Sequence, residues 1–416
     1  CTGCERFVPD NEVQEGTCPL HPNQALKRLK EENYFFKLSA YQEPLLEWYR
    51  QHPNFIQPEA RRNETIRYVQ DHLEDISISR AASQLSSGIP VPGDASQRIY
   101  VWFDALINYI TVAGFGTDDE QTKRIWPADV HLVGKDIIKF HCALWPAMIL
   151  SVAKSDPLLK QMAMDHHVLP KTVFAHGFFT IEGTKISKSL GNAIDPRDLI
   201  PTYGLDAIRY FLMKEIAFGE DGDFSINRLN ERYDTDLANT LGNLVQRSVS
   251  MCRRYFSNNT PEVDLIKAGA SPNMSIWDGA AGLDTLRKTY EAHMRDLRVD
   301  KALDTIWGTG QLRGSGIIHA NKFVEETKPF KLVKQDAMKV GEILYALLEA
   351  CRQYAWLLEP IMPHVAKQII ETLGQDYTTE SATSLNERLT WGGLDMKAPL
   401  PEPKPIFPRR ASTEDT

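Results

Sequence analysis

The sequence predicts an α/β unit followed by an all-α bundle, and two patterns of apolar residues support this fold class. Short apolar strands such as VHLVG (130–134) and TVFAHGFFT (172–180) alternate with helical segments as far as about residue 195, as in a parallel α/β sheet. Beyond DFSINRL (223–229) the apolar residues follow a helical period almost to the end of the chain. A long stripe in EILYALLEACRQYAWLLEPIMPHVAKQIIETL, broken by Pro360 and Pro363, predicts packed helices.

Composition limits the class of protein. The chain has 416 residues, 42% hydrophobic and 25% charged, and is long enough for two or three globular domains. Its net charge of −8 gives no general attraction to a polyanion, so contacts with nucleic acid must come from local basic or stacking surfaces. No stretch approaches the roughly 20 apolar residues of a membrane span, and no charged-then-apolar leader opens the chain. We expect a soluble protein with no membrane partner; the oligomeric state is not indicated.

The spacing of cysteine and histidine at the start of the chain predicts a metal site. Cys1-x-x-Cys4 and, after thirteen intervening residues, Cys18-x-x-His21 supply two chelating pairs that fit one tetrahedral Zn²⁺. Four protein ligands would leave no open position, so the zinc would be structural. The alternative is three buried cysteines and a surface histidine, but C-x-x-C and C-x-x-H pairs rarely coincide without metal.

Cysteine usage also indicates the compartment. Six cysteines are too few for a disulfide framework in so long a chain, and three of them lie in its first turns. We therefore expect a reducing compartment and a cytoplasmic protein, with an organellar form as the alternative.

A loop with two lysines, IEGTKISKSLGN (181–192), follows the second apolar strand. Two ammonium groups on a pliable loop can close on a triphosphate and stabilise the charge that develops on the leaving pyrophosphate. The alternative is a solvated basic turn. The loop residues that would carry this chemistry are Lys185, Lys188, Ser187 and Ser189.

KISKSLGN resembles the KMSKS signature of class I aminoacyl-tRNA synthetases, with Ile186 where the family usually has Met. The resemblance implies activation of an amino acid with ATP and Mg²⁺, followed by transfer to tRNA. It assigns the following residues to ATP: Lys135, Asp136, His176, Gly177, Phe178, Lys185, Ile186 and Lys188. Lys135 and Asp136 would lie at the start of a helix, whose amino end favours phosphate, and Asp136 could hold a ribose hydroxyl.

Two aromatic stripes could form a pocket between them. The first occupies positions i, i+3, i+4 and i+7 of a helix predicted to begin near residue 102: Trp102, Ala105, Leu106 and Tyr109. The second recurs at four-residue steps: Ile137, His141 and Trp145. Such rings can pack against a thioether, and the Tyr109 hydroxyl or the His141 N–H could donate a hydrogen bond to its sulfur. By spacing alone, stripes of this type are most often plain core, and a single histidine such as His141 is more often a buried structural residue than a ligand contact.

Both stripes resemble the methionine-pocket segments of methionyl-tRNA synthetases. The resemblance implies that all seven side chains contact L-methionine, with Leu106 at a position that varies between bacterial types. A pocket that recognises a sulfur atom should discriminate better than one that judges size alone but less well than one that hydrogen-bonds a polar group. We therefore expect it to accept some close thioether analogues of methionine.

DTDLANTLGNLVQR (234–247) contains a polar stripe at helical spacing, which by spacing alone favours an ordinary solvated face. Asn239, Asn243 and Arg247 recur every four residues opposite an apolar face made of Leu237, Leu241, Leu244 and Val245. Amide and guanidinium groups can read unstacked bases, although spacing alone would fit a solvated face. The family resemblance implies that Asn243 and Arg247 contact the CAU anticodon of tRNA(Met).

Two segments depart from the family pattern. Phe330 stands where the family usually has a Trp that stacks on the first anticodon base, and a smaller ring stacks less strongly. GTGQLRGSG (308–316) replaces a continuous helix, and its four glycines weaken a helix by about 1 kcal/mol each.

The resemblance covers residues 1–408 and implies a domain order. The domains are a connective insertion (1–97) with the zinc knuckle (1–36), the second half of a Rossmann-type catalytic domain with the KMSKS-like loop (98–222), a helical anticodon-binding domain (223–400) and a tail (401–416). The family's HIGH-type signature is not in this sequence. We expect an N-terminal catalytic segment beyond these residues and no adenylate formation without it. The alternatives are another class I synthetase of the same subgroup and a non-catalytic tRNA-binding protein.

Overall fold

A computed structural model describes residues 1, 8, 13, 16–18, 21–27, 32–83, 85, 87–165, 167–181, 183–185, 194–270, 278–310 and 314–408. The chain divides into two compact units, residues 1–175 and 176–416. None of the helices in these described ranges is long and apolar enough to cross a membrane.

Unit 1 contains short strands in several small sheets. Its strands are β1 Thr17–Cys18, β2 His21–Ala25, β3 Phe35–Phe36, β4 Ile56–Gln57, β5 Ile76–Ser77, β6 Ser79–Ala81, β7 Pro90–Val91, β8 Asp94–Ile99, β9 Val130–Gly134 and β10 Thr172–His176. The order β4-β10-β9 forms one sheet in which β4 and β10 are parallel, with Val173 opposite Ile56. This confirms the predicted parallel pairing, although β4 lies upstream of the segment from which it was predicted.

The helices of unit 1 are α1 Gln42–Gln51, α2 Glu59–His72, α3 Val101–Ala105, α4 Asn108–Val112, α5 Asp119–Ile125, α6 Trp145–Val152 and α7 Pro157–Met164. Helix α7 begins after Asp156, whose side chain accepts from the Leu159 amide at 2.9 Å, and proline occupies the first helical position. The core joins α1 to the later helices: the buried Tyr49 hydroxyl donates to the Cys142 carbonyl at 2.6 Å. Residues from both sides of position 97 therefore share one core, and the boundary implied there stays a prediction.

Unit 2 is mainly helical, as predicted. A small sheet of order β12-β11-β13 combines β11 Phe179–Ile181, β12 Thr184–Lys185 and β13 Gly222–Phe224. The helices are α8 Pro196–Tyr203, α9 Leu205–Glu215, α10 Ile226–Arg232, α11 Asn243–Tyr255, α12 Leu265–Gly269, α13 Gly279–Arg295, α14 Val299–Trp307, α15 Ile317–Thr327, α16 Pro329–Leu332, α17 Ala337–Leu358, α18 Pro363–Thr372, α19 Tyr377–Ser381 and α20 Leu385–Arg388. A π-helical stretch, Tyr233–Gly242, leads into α11.

The apolar stripes form the core of this bundle. The predicted face of Leu237, Leu241, Leu244 and Val245 is fully buried. Helix α17 is buried almost all round, as expected of a helix without a polar face. It ends at Leu358 and α18 begins at Pro363, so the stripe breaks at the two prolines as predicted.

The glycine-rich segment has a structural explanation. Helix α14 ends at Trp307, Gly308 adopts a left-handed conformation with φ of +80°, and α15 begins only at Ile317. A Cβ atom at Gly316 would clash with the backbone of Gly308. Glycine at both positions therefore lets the two ends of the connection touch.

A buried ion pair ties α17 to the end of the bundle. The Arg352 guanidinium donates to both oxygens of Glu349 at 2.8 Å, and both side chains are almost wholly buried. The same guanidinium donates to the carbonyls of Arg388 and Thr390, and Glu349 accepts from the amide of Leu394 at 3.0 Å. Each charge is thus fully hydrogen-bonded, which a buried ion requires.

We predict that Glu349→Gln destabilises the bundle by about 3 kcal/mol, because it leaves the buried guanidinium with only the more distant carboxylate of Glu380, at 3.4 Å, among the described residues. Urea unfolding followed by circular dichroism measures this change. Glu371→Gln, which removes an exposed carboxylate from the surface pair with Lys367, is the matched control and should change stability by less than about 0.5 kcal/mol. Equal losses in the two variants would show that the buried pair does not stabilise the bundle.

Candidate functional site

The first aromatic stripe lies on a helix that begins at the predicted position. Strand β8 ends at Ile99 and α3 begins at Val101. Trp102, Ala105 and Tyr109 are half-buried, whereas Leu106 is fully buried in the core of unit 1. Three side chains of the stripe are therefore partly accessible, and a contact of Leu106 with methionine stays a prediction.

The second stripe runs through an irregular helix. Lys135–Ile137 forms a 3₁₀ turn, Phe140–Leu144 is π-helical, and Trp145 begins α6. Widened π turns are rare and concentrate at functional sites. The widening turns Phe140 as well as His141 toward α3, which a regular four-residue repeat did not predict.

The structure brings the two stripes together. The Trp102 ring stacks on Phe140 with centroids 4.5 Å apart and meets His141 edge-on at 6.5 Å. The Tyr109 ring lies 5.6 Å from His141 and 6.0 Å from Trp145. Four aromatic side chains predicted from spacing thus share one cluster, and Phe140 is an additional member.

Hydrogen bonds determine which atoms of His141 and Tyr109 donate and which accept. His141 Nδ1 lies 3.0 Å from the Ile137 carbonyl oxygen, which can only accept, so Nδ1 carries the proton. Nε2 of the neutral ring then accepts from the Tyr109 hydroxyl at 2.8 Å. Both hydrogens are used within the protein, so neither group has a free donor for a sulfur atom in this arrangement, contrary to the expectation from the sequence.

A second histidine lies behind Tyr109. The His131 ring stacks on the Tyr109 ring at 4.2 Å and is 4% exposed. Neither of its ring nitrogens has a hydrogen-bond partner among the described residues. Burial, and to a smaller extent the neighbouring His141, lowers the pKa of His131 to about 4. Burial also lowers the pKa of His141. Both rings are therefore neutral near pH 7. The sequence signal for His131 was its inward position in β9.

Lys135 and Asp136 directly follow β9. Strand β9 ends at Gly134, and the two residues occupy the 3₁₀ turn at its carboxyl end. Lys135 is half-buried and Asp136 is exposed. Ligands of open α/β sheets bind at the carboxyl ends of the strands, so this is a suitable position for nucleotide contacts.

The stem of the lysine loop is held by a carboxylate. Strands β11 and β12 pair antiparallel and turn at Gly183, which has φ of +73°. One oxygen of Asp223 accepts from the Gly183 amide at 2.9 Å and from the Thr180 hydroxyl at 2.7 Å. Both hydrogen bonds lower the pKa of Asp223, and the bond from the Gly183 amide has the larger effect. Sequence reasoning missed Asp223, whose signal was the acidic EDGD segment.

The residues before this stem are packed closely. A Cβ atom at Gly177 would clash with the backbone carbonyl of Glu220, so the position requires glycine. The Phe178 amide donates to Asp221 at 2.8 Å, and His176 Nδ1 lies 2.8 Å from the Gly177 carbonyl oxygen. Ile186, Ser187, Lys188 and Ser189 lie outside the described residues, as does the side chain of Lys185.

The predicted anticodon residues lie in unit 2. Asn243 and Arg247 are half-buried on α11. The Arg247 guanidinium forms a 2.6 Å ion pair with Glu325 of α15, a partner that the sequence did not indicate. Phe330 follows Pro329 in α16 and is 42% exposed. The π-helical stretch that ends at Gly242 interrupts the regular repeat before Asn243.

The predicted zinc ligands are described only in part. Cys4 lies outside the described residues, and only the backbone of His21 is described. Strands β1 and β2 pair Cys18 directly with His21. Among all the described residues, no group of three or more His, Cys, Asp or Glu side chains is placed to hold a metal. The hairpin thus places the backbones of the two residues of the predicted C-x-x-H pair opposite each other.

We predict that acid destabilises unit 1 through His131. Its folded pKa of about 4 lies below the unfolded value of about 6.5. Between these values the unfolded chain binds more protons, so stability falls as the pH falls, by up to about 2 kcal/mol at about pH 5. Thermal unfolding at several pH values measures this slope.

His131→Phe keeps the ring and should flatten the slope, whereas the exposed His72→Phe should leave it as in the unmodified chain. An unchanged slope in His131→Phe would contradict the assignment.

Comparisons with known proteins identify the family. A family model described as tRNA synthetases class I (M) matches residues 1–249, and one described as the anticodon binding domain of methionyl tRNA ligase matches residues 276–401. Both descriptions name methionine, and no comparison favours another synthetase of the subgroup.

Relatives match nearly the whole chain. The methionine–tRNA ligase of Caldanaerobacter subterraneus subsp. tengcongensis is 41% identical over 98% of this chain and 59% of its own length. Those of Nostoc sp. and Thermotoga maritima are 39% identical, with 75% and 60% of their lengths covered. The chain thus spans about three-fifths of the length of two of these relatives.

Solved structures agree in fold. Mycobacterium tuberculosis methionyl-tRNA synthetase in complex with methionyl-adenylate has a TM-score of 0.82 at 37% identity, covering 97% of this chain and 74% of that one. Its apo form gives 0.80 at 35% identity, with 98% and 75% covered. Because one family model matches more than half of the chain and relatives near 40% identity match nearly all of it, the chain belongs to the methionyl-tRNA synthetase family of class I.

Proposed function

We propose that this chain carries the methionine pocket, the KMSKS-type loop and the anticodon surface of a methionine–tRNA ligase. The enzyme would join L-methionine to AMP with release of pyrophosphate and then transfer the methionyl group to tRNA(Met). The observation that carries the proposal is the aromatic cluster of Trp102, Tyr109, His141 and Trp145, which unites two segments predicted separately from the sequence.

The cluster suits an uncharged, polarizable side chain. Its rings can contact a thioether at their faces and edges, where sulfur is attracted. The two histidines near it are neutral at pH 7, so no buried charge has to be matched by the ligand. The Tyr109–His141 hydrogen bond satisfies both polar groups without using the substrate. Recognition of methionine would then rest on shape and ring contacts, with Ala105 and Ile137 completing the walls.

The lysine loop would act on the phosphates. The methionine carboxylate attacks the α-phosphorus of ATP, a new O–P bond forms, and the bond to pyrophosphate breaks. Lys185 and Lys188, with Mg²⁺ on the nucleotide, would stabilise the charge that this step moves onto pyrophosphate. Asp223 supports this role because it fixes the Gly183 turn at the base of the loop. A fixed stem allows a loop to move and still return to one position.

The anticodon surface would use α11 and α16. Arg247 and Asn243 offer donors and an amide acceptor to base edges, and the exposed Phe330 ring offers a stacking face. The ion pair with Glu325 holds the Arg247 guanidinium at the helix surface when no base is bound.

We also propose a structural Zn²⁺ held by Cys1, Cys4, Cys18 and His21. The pairing of Cys18 with His21 across the β1–β2 hairpin supports it, because the two residues of a C-x-x-H pair must face one ion. The metal would order the hairpin and take no part in the transfer reaction.

We predict that Lys188→Ala slows methionine-dependent ATP–pyrophosphate exchange by at least about 100-fold, with little change in methionine affinity. The assay uses a version of the protein that spans the full length of its relatives. Lys171→Ala, which removes an exposed lysine paired with Asp129, is the control and should exchange normally. An unchanged rate in Lys188→Ala would refute the role of the loop, and equal exchange with leucine would refute the pocket.

We predict about one zinc per chain by elemental analysis. Cys18→Ser should lose it, and proteolysis within residues 1–30 should become faster because the hairpin loses its cross-link. His72→Ala, which removes an exposed histidine of the same unit, should keep the metal. Retention of zinc by Cys18→Ser would contradict the ligand set.

A further inference from the structure

The polar face of α11 continues beyond the predicted anticodon residues. Residues at i, i+4, i+7 and i+11 of one helix lie on one face, and here these are Asn243, Arg247, Ser250 and Arg254. The last two also line a groove of about 410 Å³. Its remaining lining residues are Gln246, Arg253, Asn258, Glu402 and Pro403. The groove is therefore a direct extension of the anticodon surface.

The groove holds two arginines that form no ion pair with any described residue. Arg247 is paired with Glu325 and Arg295 with Glu291, but within the described part of the chain no carboxylate oxygen lies within 4.0 Å of Arg253 or Arg254. Arg253 donates to the backbone carbonyl of Leu400, which fixes its guanidinium against the groove without cancelling its charge.

We propose that this groove binds the phosphate backbone of the RNA strand that leads to or from the anticodon. The inference rests on the proposed anticodon role of Asn243 and Arg247. Arg247 and Arg254 are seven residues apart, which is about 10 Å along a helix. A strand that presents a base to Arg247 can therefore reach Arg254 within a few nucleotides.

The lining suits phosphate better than other ligands. Guanidinium groups bind phosphate oxygens through parallel hydrogen bonds. Hydroxyl and amide side chains, here Ser250, Gln246 and Asn258, add uncharged donors, and this mixture is typical of contacts to nucleic-acid backbones. Glu402 contributes one negative charge and leaves the lining with a net charge of +1. No apolar side chain except Pro403 lines the groove, so an apolar ligand would gain little from it.

The groove and the anticodon residues would have separate tasks. Contacts to phosphate position an RNA without reading its sequence, whereas contacts to bases specify it. Arg254 would therefore supply affinity for any loop, and Arg247 would supply preference for CAU. In a chain with net charge −8, such local placement of positive charge is the means by which RNA can be attracted.

Binding of RNA hairpins tests the inference. Fluorescence anisotropy gives Kd at several salt concentrations for a hairpin with a CAU loop and for one with a scrambled loop. Arg254→Gln should weaken both hairpins alike, by about 5-fold, and should reduce the salt slope by about 0.7, the value for one contact to single-stranded phosphate. Arg247→Gln should weaken the CAU hairpin selectively. Arg295→Gln, which removes an exposed arginine on α13, is the matched control and should bind as the unmodified chain does.

A gain of binding gives an independent check. Glu402→Gln removes the negative charge that Glu402 brings to the groove and should tighten both hairpins, a result that misfolding cannot produce. An unchanged Kd and salt slope in Arg254→Gln, or a loss confined to the CAU hairpin, would overturn the phosphate groove. Absence of any CAU preference in the unmodified chain would instead overturn the anticodon role, and the salt slope of Arg254→Gln would still decide the groove.

Discussion

Most polar groups removed from water find partners inside the protein, and this constraint sets the geometry of the aromatic cluster and the helical bundle. In the cluster, the Ile137 carbonyl fixes the His141 proton and thereby the direction of the Tyr109 hydroxyl. In the bundle, Glu349 and Arg352 satisfy each other and a later segment of the chain. Each set of partners leaves one favourable arrangement.

The two proposed functional surfaces use charge in opposite ways. The proposed methionine pocket excludes it: burial keeps His131 and His141 neutral, so an apolar thioether meets no unpaired ion. On the proposed RNA surface the arginines are accessible but differ in whether a carboxylate pairs with them. Arg247 is paired with Glu325, whereas Arg254 has no such counter-charge among the described residues. This difference along α11 would separate the proposed reading of bases from the proposed attraction to phosphate.

Irregular helices occur at both surfaces. The π-helical stretches Phe140–Leu144 and Tyr233–Gly242 lie within or directly before residues assigned to methionine and to the anticodon. A widened turn rotates the following side chains relative to a regular helix, which brings Phe140 onto Trp102 and offsets Asn243 from Asn239. Such turns are stable only where neighbouring side chains pack against them. The geometry of both proposed surfaces therefore depends on the packing of the core.

The sequence by itself determined the local features of this protein. The α/β-then-helical order, the start of α3, the buried leucine face before α11 and the break between α17 and α18 all follow from periodicity and from proline, which act over a few residues. The sequence also indicated the family, because the motifs that resemble it are contiguous in the chain.

Only the tertiary structure decided which distant residues meet. His131 reaches Tyr109, Asp223 reaches Gly183, and Glu325 reaches Arg247 across separations of 22, 40 and 78 residues. A period of 3.6 or 2 residues describes which face a side chain occupies but not which other face it will pack against. That choice depends on how whole elements fit together and on which buried polar groups still need partners.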